Sequence, residues 1–151
     1  MKIKCLIIDD EPLAQRVLEL YILDIPSLEL VQKCNNALDA IEILKEQKID
    51  LIFLDINMPK LTGLEFLRSL KHPPLVVITT AYAEFAIQGY ELDVADYLMK
   101  PFSLERFLKA IHKVQDILKP REHPLPEKAA AESQEEQYIF VKSSKKPTAS
   151  T

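Results

Sequence analysis

Four short stretches of this 151-residue chain carry side chains that could do chemistry together. Asp9-Asp10-Glu11 sets three carboxylates in a row, Asp55 closes an apolar run, Thr79-Thr80 offers two hydroxyls, and Lys100 precedes Pro101. Carboxylates gathered at one place repel one another, and a hard divalent cation relieves that repulsion. Mg2+ in particular takes one or two carboxylates, carbonyl oxygens, waters and a phosphate oxygen. A lysine facing them suits a transferring phosphoryl group, and a threonine hydroxyl can donate to another phosphate oxygen. A carboxylate in that setting can attack phosphorus and hold it as an acyl phosphate. Each stretch also has a plainer reading. Acidic residues after strands favour the positive end of the next helix, Lys-Pro marks a turn, and threonine is an ordinary strand residue.

What decides between these readings is whether the fold brings the four stretches together. From the start to about Leu118, short apolar runs alternate with longer amphipathic ones. The runs are Ile3–Ile8, Leu28–Val31, Leu51–Leu54, Leu75–Ile78 and Val94–Leu98. Several are almost unbroken Val, Ile, Leu and Phe, as in parallel strands covered on both faces. Between them Ala14, Val17, Leu18 and Tyr21 share one helical face, and so do Leu104, Phe107, Leu108, Ile111 and Leu118. Pro12 suits the first turn of the first helix, Ser103 can cap the last, and Thr62 with Glu65 has the form of a capping box. Five strands alternating with five helices predict an α/β fold, a doubly wound five-stranded parallel sheet flanked by five helices. In such sheets the active crevice lies beyond the carboxyl ends of the strands. All four stretches fall there, which favours the chemical reading.

Composition narrows the function further. With 48% hydrophobic and 28% charged residues the chain can bury a core, and no apolar run approaches the ~20 residues of a membrane span. Ile3–Ile8 is too short for a secretory signal, so the expected address is cytoplasmic. A net charge of −4 argues against nucleic acid as a partner of this segment as a whole. Gly63 and Gly89 are the only glycines, so no Gly-rich phosphate loop can be written and no nucleotide cofactor is expected. Cys5 and Cys34 are neither a disulfide framework nor a metal pair, and read as small buried hydrophobes.

The segments Leu6-Ile7-Ile8-Asp9-Asp10-Glu11-Pro12, Phe53-Leu54-Asp55-Ile56-Asn57-Met58-Pro59, Thr79-Thr80-Ala81-Tyr82 and Asp96-Tyr97-Leu98-Met99-Lys100-Pro101-Phe102 resemble, in order and spacing, the signature of the two-component response-regulator receiver domain. The resemblance covers residues 1–118 and implies the flavodoxin-like receiver fold. It further implies that Asp55 is the phosphoacceptor, served by a sensor histidine kinase, and that the protein is a switch rather than a turnover enzyme. Asp10 and Asp55 would ligate Mg2+ directly, Asp9 through a water, and Asn57 through its backbone carbonyl. Thr80 rather than Thr79 matches the switch hydroxyl, because it directly precedes Ala81. Lys100 would contact the phosphoryl oxygens, with a cis bond to Pro101 of the kind that X-Pro tolerates. Tyr97 takes the place of the aromatic switch residue.

After Leu118 the character changes. Residues 119–137 hold Pro120, Pro124 and Pro126, then Ala129–Ala131 among polar residues, and read as a flexible linker. Residues 138–151 open on Tyr138-Ile139-Phe140-Val141-Lys142-Ser143, which is similar to the first strand of the LytTR-type DNA-binding domains found in LytR/AlgR-type response regulators. That resemblance implies transcriptional output through a DNA-binding domain absent from this chain; a stray hydrophobic tail is the bland alternative. Phosphorylation is expected to promote a two-fold homodimer through the fourth helix, fifth strand and fifth helix. There Glu91, Asp93 and Asp96 would face Arg106, Lys109 and Lys113 of a second copy. Two rival functions stand beside this one. A stand-alone receiver would act by partner binding or phosphorelay. A haloacid-dehalogenase-like phosphatase would also use a strand-end aspartate with Mg2+, but its nucleophile ends the first strand and is followed two residues later by a second Asp. Here Asp55 ends the third strand and is followed by Asn57.

Overall fold

The computed structural model describes residues 2–82 and 93–119. Its strands are β1 (Ile3–Ile8), β2 (Leu28–Cys34), β3 (Leu51–Asp55), β4 (Leu75–Thr80) and β5 (Asp96–Met99). All pair in parallel, in the order β2-β1-β3-β4-β5. The helices are α1 (Pro12–Leu23), α2 (Ala37–Glu46), α3 (Gly63–Ser69) and α4 (Leu104–Leu118). The flavodoxin-like receiver fold expected from the sequence is present. The helix expected between β4 and β5 falls on residues 83–92, outside the described residues, as do the linker from Pro120 on and the tail.

The period of two along each strand sorts the apolar side chains onto two faces. Leu6 and Ile8 of β1, Ile52 and Leu54 of β3, and Val76 and Ile78 of β4 pack with Ala37, Ala40 and Ile43 of α2 and Phe66 of α3. Cys5 and Ile7, Leu51 and Phe53, Val77 and Leu98 pack on the opposite face with Leu18 and Ile22 of α1 and with Phe107, Ala110, Ile111 and Val114 of α4. Burying each such Leu, Ile, Val or Phe is worth about 1.5–3 kcal/mol. Cys5–Ile8 of β1 and Leu51–Leu54 of β3 are buried on both sides, which is why they read as apolar runs.

Helix starts follow local chemistry. Pro12 opens α1, and Asn36 caps α2 by accepting from the Asp39 N–H. Thr62 and Glu65 form the expected capping box at α3, and Ser103 Oγ accepts from the Arg106 N–H at 3.1 Å as α4 begins. β2 runs three residues past the apolar stretch that marked it, to Cys34, because its backbone keeps pairing with β1 as far as Ile8 opposite Cys34. Pairing, not hydropathy, sets the length of that edge strand. β4 likewise continues through Thr79 to Thr80, which lies opposite Met99.

Candidate functional site

The chain steps from β1 outward to β2 on one side and to β3, β4 and β5 on the other. The direction therefore reverses between β1 and β3, and the crevice of a doubly wound sheet opens at that point. Asp9 and Asp10 follow β1, and Asp55 ends β3. One carboxylate oxygen from each lies within 4.8 Å of the others. Asp9 is fully buried and Asp55 is 5% exposed, while Asp10 faces solvent. An open cavity of about 410 Å3 covers the cluster, lined by Asp10, Glu11, Asp55, Asn57, Tyr82 and Lys100 among others.

Lys100 enters from the end of β5. Its Nζ donates to Asp9 Oδ2 at 3.0 Å and lies 3.6 Å from Glu11 Oε1 and 3.8 Å from Asp55 Oδ1. Its backbone N–H bonds the Thr80 carbonyl at 2.7 Å, and the bond to Pro101 is cis, as the sequence predicted. Burial works against the ammonium, but the hydrogen bond to Asp9 and the surrounding carboxylates outweigh it and hold the Lys100 pKa above the ordinary lysine value. Asp55 is pushed toward its neutral form. Burial, then the charge of Asp9, push its pKa from 3.8 up to about 7, against the opposing pull of Lys100 and the Asn57 N–H. One lysine therefore does not neutralise three carboxylates. The donor set, hard oxygens with excess negative charge around an open cavity, fits a divalent cation such as Mg2+.

The hydroxyls are less prominent than the sequence suggests. Thr79 and Thr80 are both fully buried, and neither lines the cavity. Thr80 Oγ1 accepts from the Tyr82 N–H at 3.0 Å and reaches the Tyr82 carbonyl at 3.5 Å, so it is tied into the turn that leaves β4. Tyr97 is half-buried and packs against the cluster formed by α2 and α3. Its N–H donates to Asp96 Oδ1 at 2.8 Å.

Two residues that sequence reasoning passed over support the site, and a third that it did weigh takes a different partner. Gln15, on α1, donates through Nε2 to the Asp9 carbonyl at 2.6 Å, to the Cys34 carbonyl at 3.1 Å and to Asn35 Oδ1 at 2.9 Å, tying the ends of β1 and β2 together. A polar residue on the buried face of an apolar helix was its only signal. Gly63 packs its Cα against the backbone of Asp55 and Ile56, where an added Cβ would lie 2.9 Å from Ile56 Cα and nearer still to the Asp55 carbonyl oxygen. Arg106 is the third, and it changes an expectation. Instead of facing a second copy, its guanidinium grips Asp96 of its own chain at 2.9 and 3.0 Å, and Lys113 lies 3.3 Å from the same carboxylate. Asp96 is buried, so these acids and bases are already matched within one chain. Of the expected dimer charges, Glu91 lies outside the described residues, and Asp93 and Lys109 remain exposed.

Fold and site together define a doubly wound α/β protein with an acidic pocket at its switch point, the architecture of a signalling receiver. The chain belongs to the response regulator receiver domain family, which it matches over residues 5–112. It is 37% identical over 118 residues to the sensory transduction protein LytR of Staphylococcus saprophyticus, covering 76% of this chain and 46% of that protein. It is 40% identical over 115 residues to the transcriptional regulatory protein BtsR of Salmonella typhi, covering 75% and 48%. The chain thus spans about half the length of these relatives. Among solved structures, the response regulatory domain of protein mrkE from Klebsiella pneumoniae matches with a TM-score of 0.69 and 34% identity, over 76% of this chain and 96% of that one. The response regulator TrrA of Thermotoga maritima, solved in complex with Mg(2+)-BeF, matches with a TM-score of 0.65 and 26% identity, over 76% and 99%. Receiver domains are signalling switches of two-component systems that take phosphate from sensor kinases. No helix among the described residues is long and apolar enough to cross a membrane.

Proposed function

We propose that this chain is a Mg2+-dependent phosphoryl switch that takes its phosphoryl group on Asp55 from a sensor histidine kinase. The observation that carries the reading is the convergence of Asp9, Asp10, Asp55 and Lys100 on one cavity at the carboxyl ends of β1, β3 and β5. An Asp55 carboxylate oxygen attacks phosphorus, the P–N bond of the donor phosphohistidine breaks, and the electron pair leaves with the imidazole. Asp10 and Asp55, with the Asn57 carbonyl and Asp9 through a water, would hold Mg2+. When bound, the ion neutralises the acidic cluster and draws electron density from the phosphoryl oxygens. Lys100 stands beside Asp55, placed to meet a phosphoryl oxygen with positive charge. Asp55 must be ionised to attack, against the upward push of burial and of the Asp9 charge. Thr80 at the end of β4 then turns its hydroxyl from Tyr82 toward the new phosphate, and Tyr97 registers the change.

The chain works in the cytoplasm, and its output is transcriptional, through a DNA-binding domain of the LytTR type beyond the receiver. Supporting this, the relative BtsR is a transcriptional regulatory protein of which the matched part covers 48%, and Tyr138 to Ser143 resemble that domain's first strand. The organisation is a receiver over 1–118, a linker over 119–137 and the start of an output module over 138–151. Phosphorylation promotes a homodimer through the face around β5 and the last helix. With Arg106 and Lys113 engaged at home, exposed Met99 and Lys109 are left to contribute.

The test is mass spectrometry after treatment with a small acyl phosphate. One added phosphoryl group is expected with Mg2+ present, and none in Asp55→Asn or in chelator. Equal labelling of that variant would sink the assignment.

A further inference from the structure

Outside the acidic cluster the described residues contain a third buried carboxylate, Asp96, 6% exposed at the first position of β5. Arg106, in the first turn of α4, meets it with both arms: Nη1 donates to Oδ2 at 2.9 Å and Nη2 to Oδ1 at 3.0 Å. The same Nη2 donates to the Tyr97 carbonyl at 2.9 Å, and Asp96 Oδ1 accepts from the Tyr97 N–H at 2.8 Å. β5 is the last strand of the sheet, with no further strand beyond it among the described residues. The Asp96–Arg106 pair thus holds both main-chain groups of Tyr97 on behalf of the helix that follows.

The position of this clamp matters. Three residues after Tyr97 the chain reaches Lys100, whose ammonium sits on Asp9 and beside Asp55. Besides Lys113, whose Nζ lies 3.3 Å from Asp96 Oδ1, the contacts between α4 and the sheet include Phe107, Ala110, Ile111 and Val114 packing around Leu98 and Phe53. Apolar contacts are non-directional and let a helix slide or tilt by small amounts. A planar guanidinium bonded at three acceptors does not, because its fork fixes distance and angle together.

We propose that Arg106 is a positioning residue that couples β5 to the last helix, so that α4 follows the strand when the phosphoryl site is filled. This rests on the phosphoryl-switch reading above. It assigns Arg106 a role within one chain, distinct from any contact it makes with a second copy. Arginine is required rather than positive charge alone. A lysine at this place keeps the ion pair with Asp96 but lacks the second arm that reaches the Tyr97 carbonyl.

The experiment follows backbone amide shifts of the whole chain by NMR while beryllofluoride and Mg2+ are added as the phosphoryl mimic. In the wild type, shifts are expected in the loops after β1 and β3 and along α4. In Arg106→Gln the mimic should bind within about two-fold of wild-type affinity, since Asp10, Asp55 and Lys100 are untouched. The shifts along α4 should fall to about half or less. Arg106→Lys should recover the thermal midpoint without recovering the α4 response, and it supplies the same comparison should Arg106→Gln not fold. An α4 response of wild-type size in either variant, with the mimic bound, would overturn the coupling alone. Failure of the wild type to bind the mimic would overturn the phosphoryl reading and the coupling with it.

Discussion

Replacing Asp55 by asparagine should stabilise the metal-free protein, and by an amount that depends on pH in a defined way. Asp55 is an acid whose pKa rises from 3.8 to about 7 on folding, chiefly through burial and then the charge of Asp9. A carboxyl with a raised folded pKa destabilises the native state wherever the unfolded chain ionises it more readily than the native one. Well below pH 3.8 both states are protonated and the cost vanishes. Between about 4 and 7 it grows, because the unfolded chain gives up a proton that the folded one retains. Above about 7 both are ionised and the cost is constant. At 1.36 kcal/mol per pH unit, a rise of this size corresponds to about 4 kcal/mol, and the desolvation that an asparagine amide also suffers leaves about 2–4 kcal/mol of it as a gain. Asparagine has nearly the same shape and no charge, and Lys100 keeps its bond to Asp9 and its proximity to Glu11 after the exchange. Urea unfolding of both proteins in chelator should therefore give Asp55→Asn an advantage of about 2–4 kcal/mol at pH 8 that shrinks steadily toward pH 4. Added Mg2+ should raise the midpoint of the wild type and move the variant much less, since a cation that binds only the native state stabilises it by mass action. An advantage that is absent at pH 8, or equally large at pH 4, would refute the account of the site as an under-neutralised acidic cluster.

Three further outcomes follow from residues around the site. Gly63→Ala should lose about 1–3 kcal/mol in chemical denaturation, because its Cβ would be driven into the Asp55 carbonyl and Ile56 Cα, backbone that cannot swing away; phosphoryl uptake should fall with it. Lys60, exposed with φ 69°, occupies the left-handed region, so Lys60→Gly should gain about 0.5–1 kcal/mol in the same assay with uptake unchanged. Gln15→Leu should cost about 1–3 kcal/mol by stranding the buried Asp9 carbonyl, while the Cys34 carbonyl keeps its bond from the Asp9 N–H. Its apparent Mg2+ affinity, read by titration against fluorescence or heat, should drop because Asp9 is no longer held.

The sequence alone determined the alternation of strands and helices, since local physics sets it. Apolar period, Pro12 at a helix start and Thr62 with Glu65 as a capping box are decided by neighbours a few residues away. It also determined which residues lie at the carboxyl ends of the strands, and so that Asp9, Asp10, Asp55 and Lys100 could meet. Only the tertiary structure decided how they meet. Lys100 reaches Asp9 across 91 positions of sequence, and no local pattern says that it sits closer to Asp9 than to Asp55. The same holds for Arg106. Its charge suggested a surface that faces a second copy, and the fold turned it onto Asp96, because the start of β5 and the start of α4 lie within reach of one guanidinium. Gln15 and Gly63 were silent for a related reason. Their importance lies in carbonyls and Cα atoms of other segments, and backbone atoms leave no mark on residue types until the chain has folded around them.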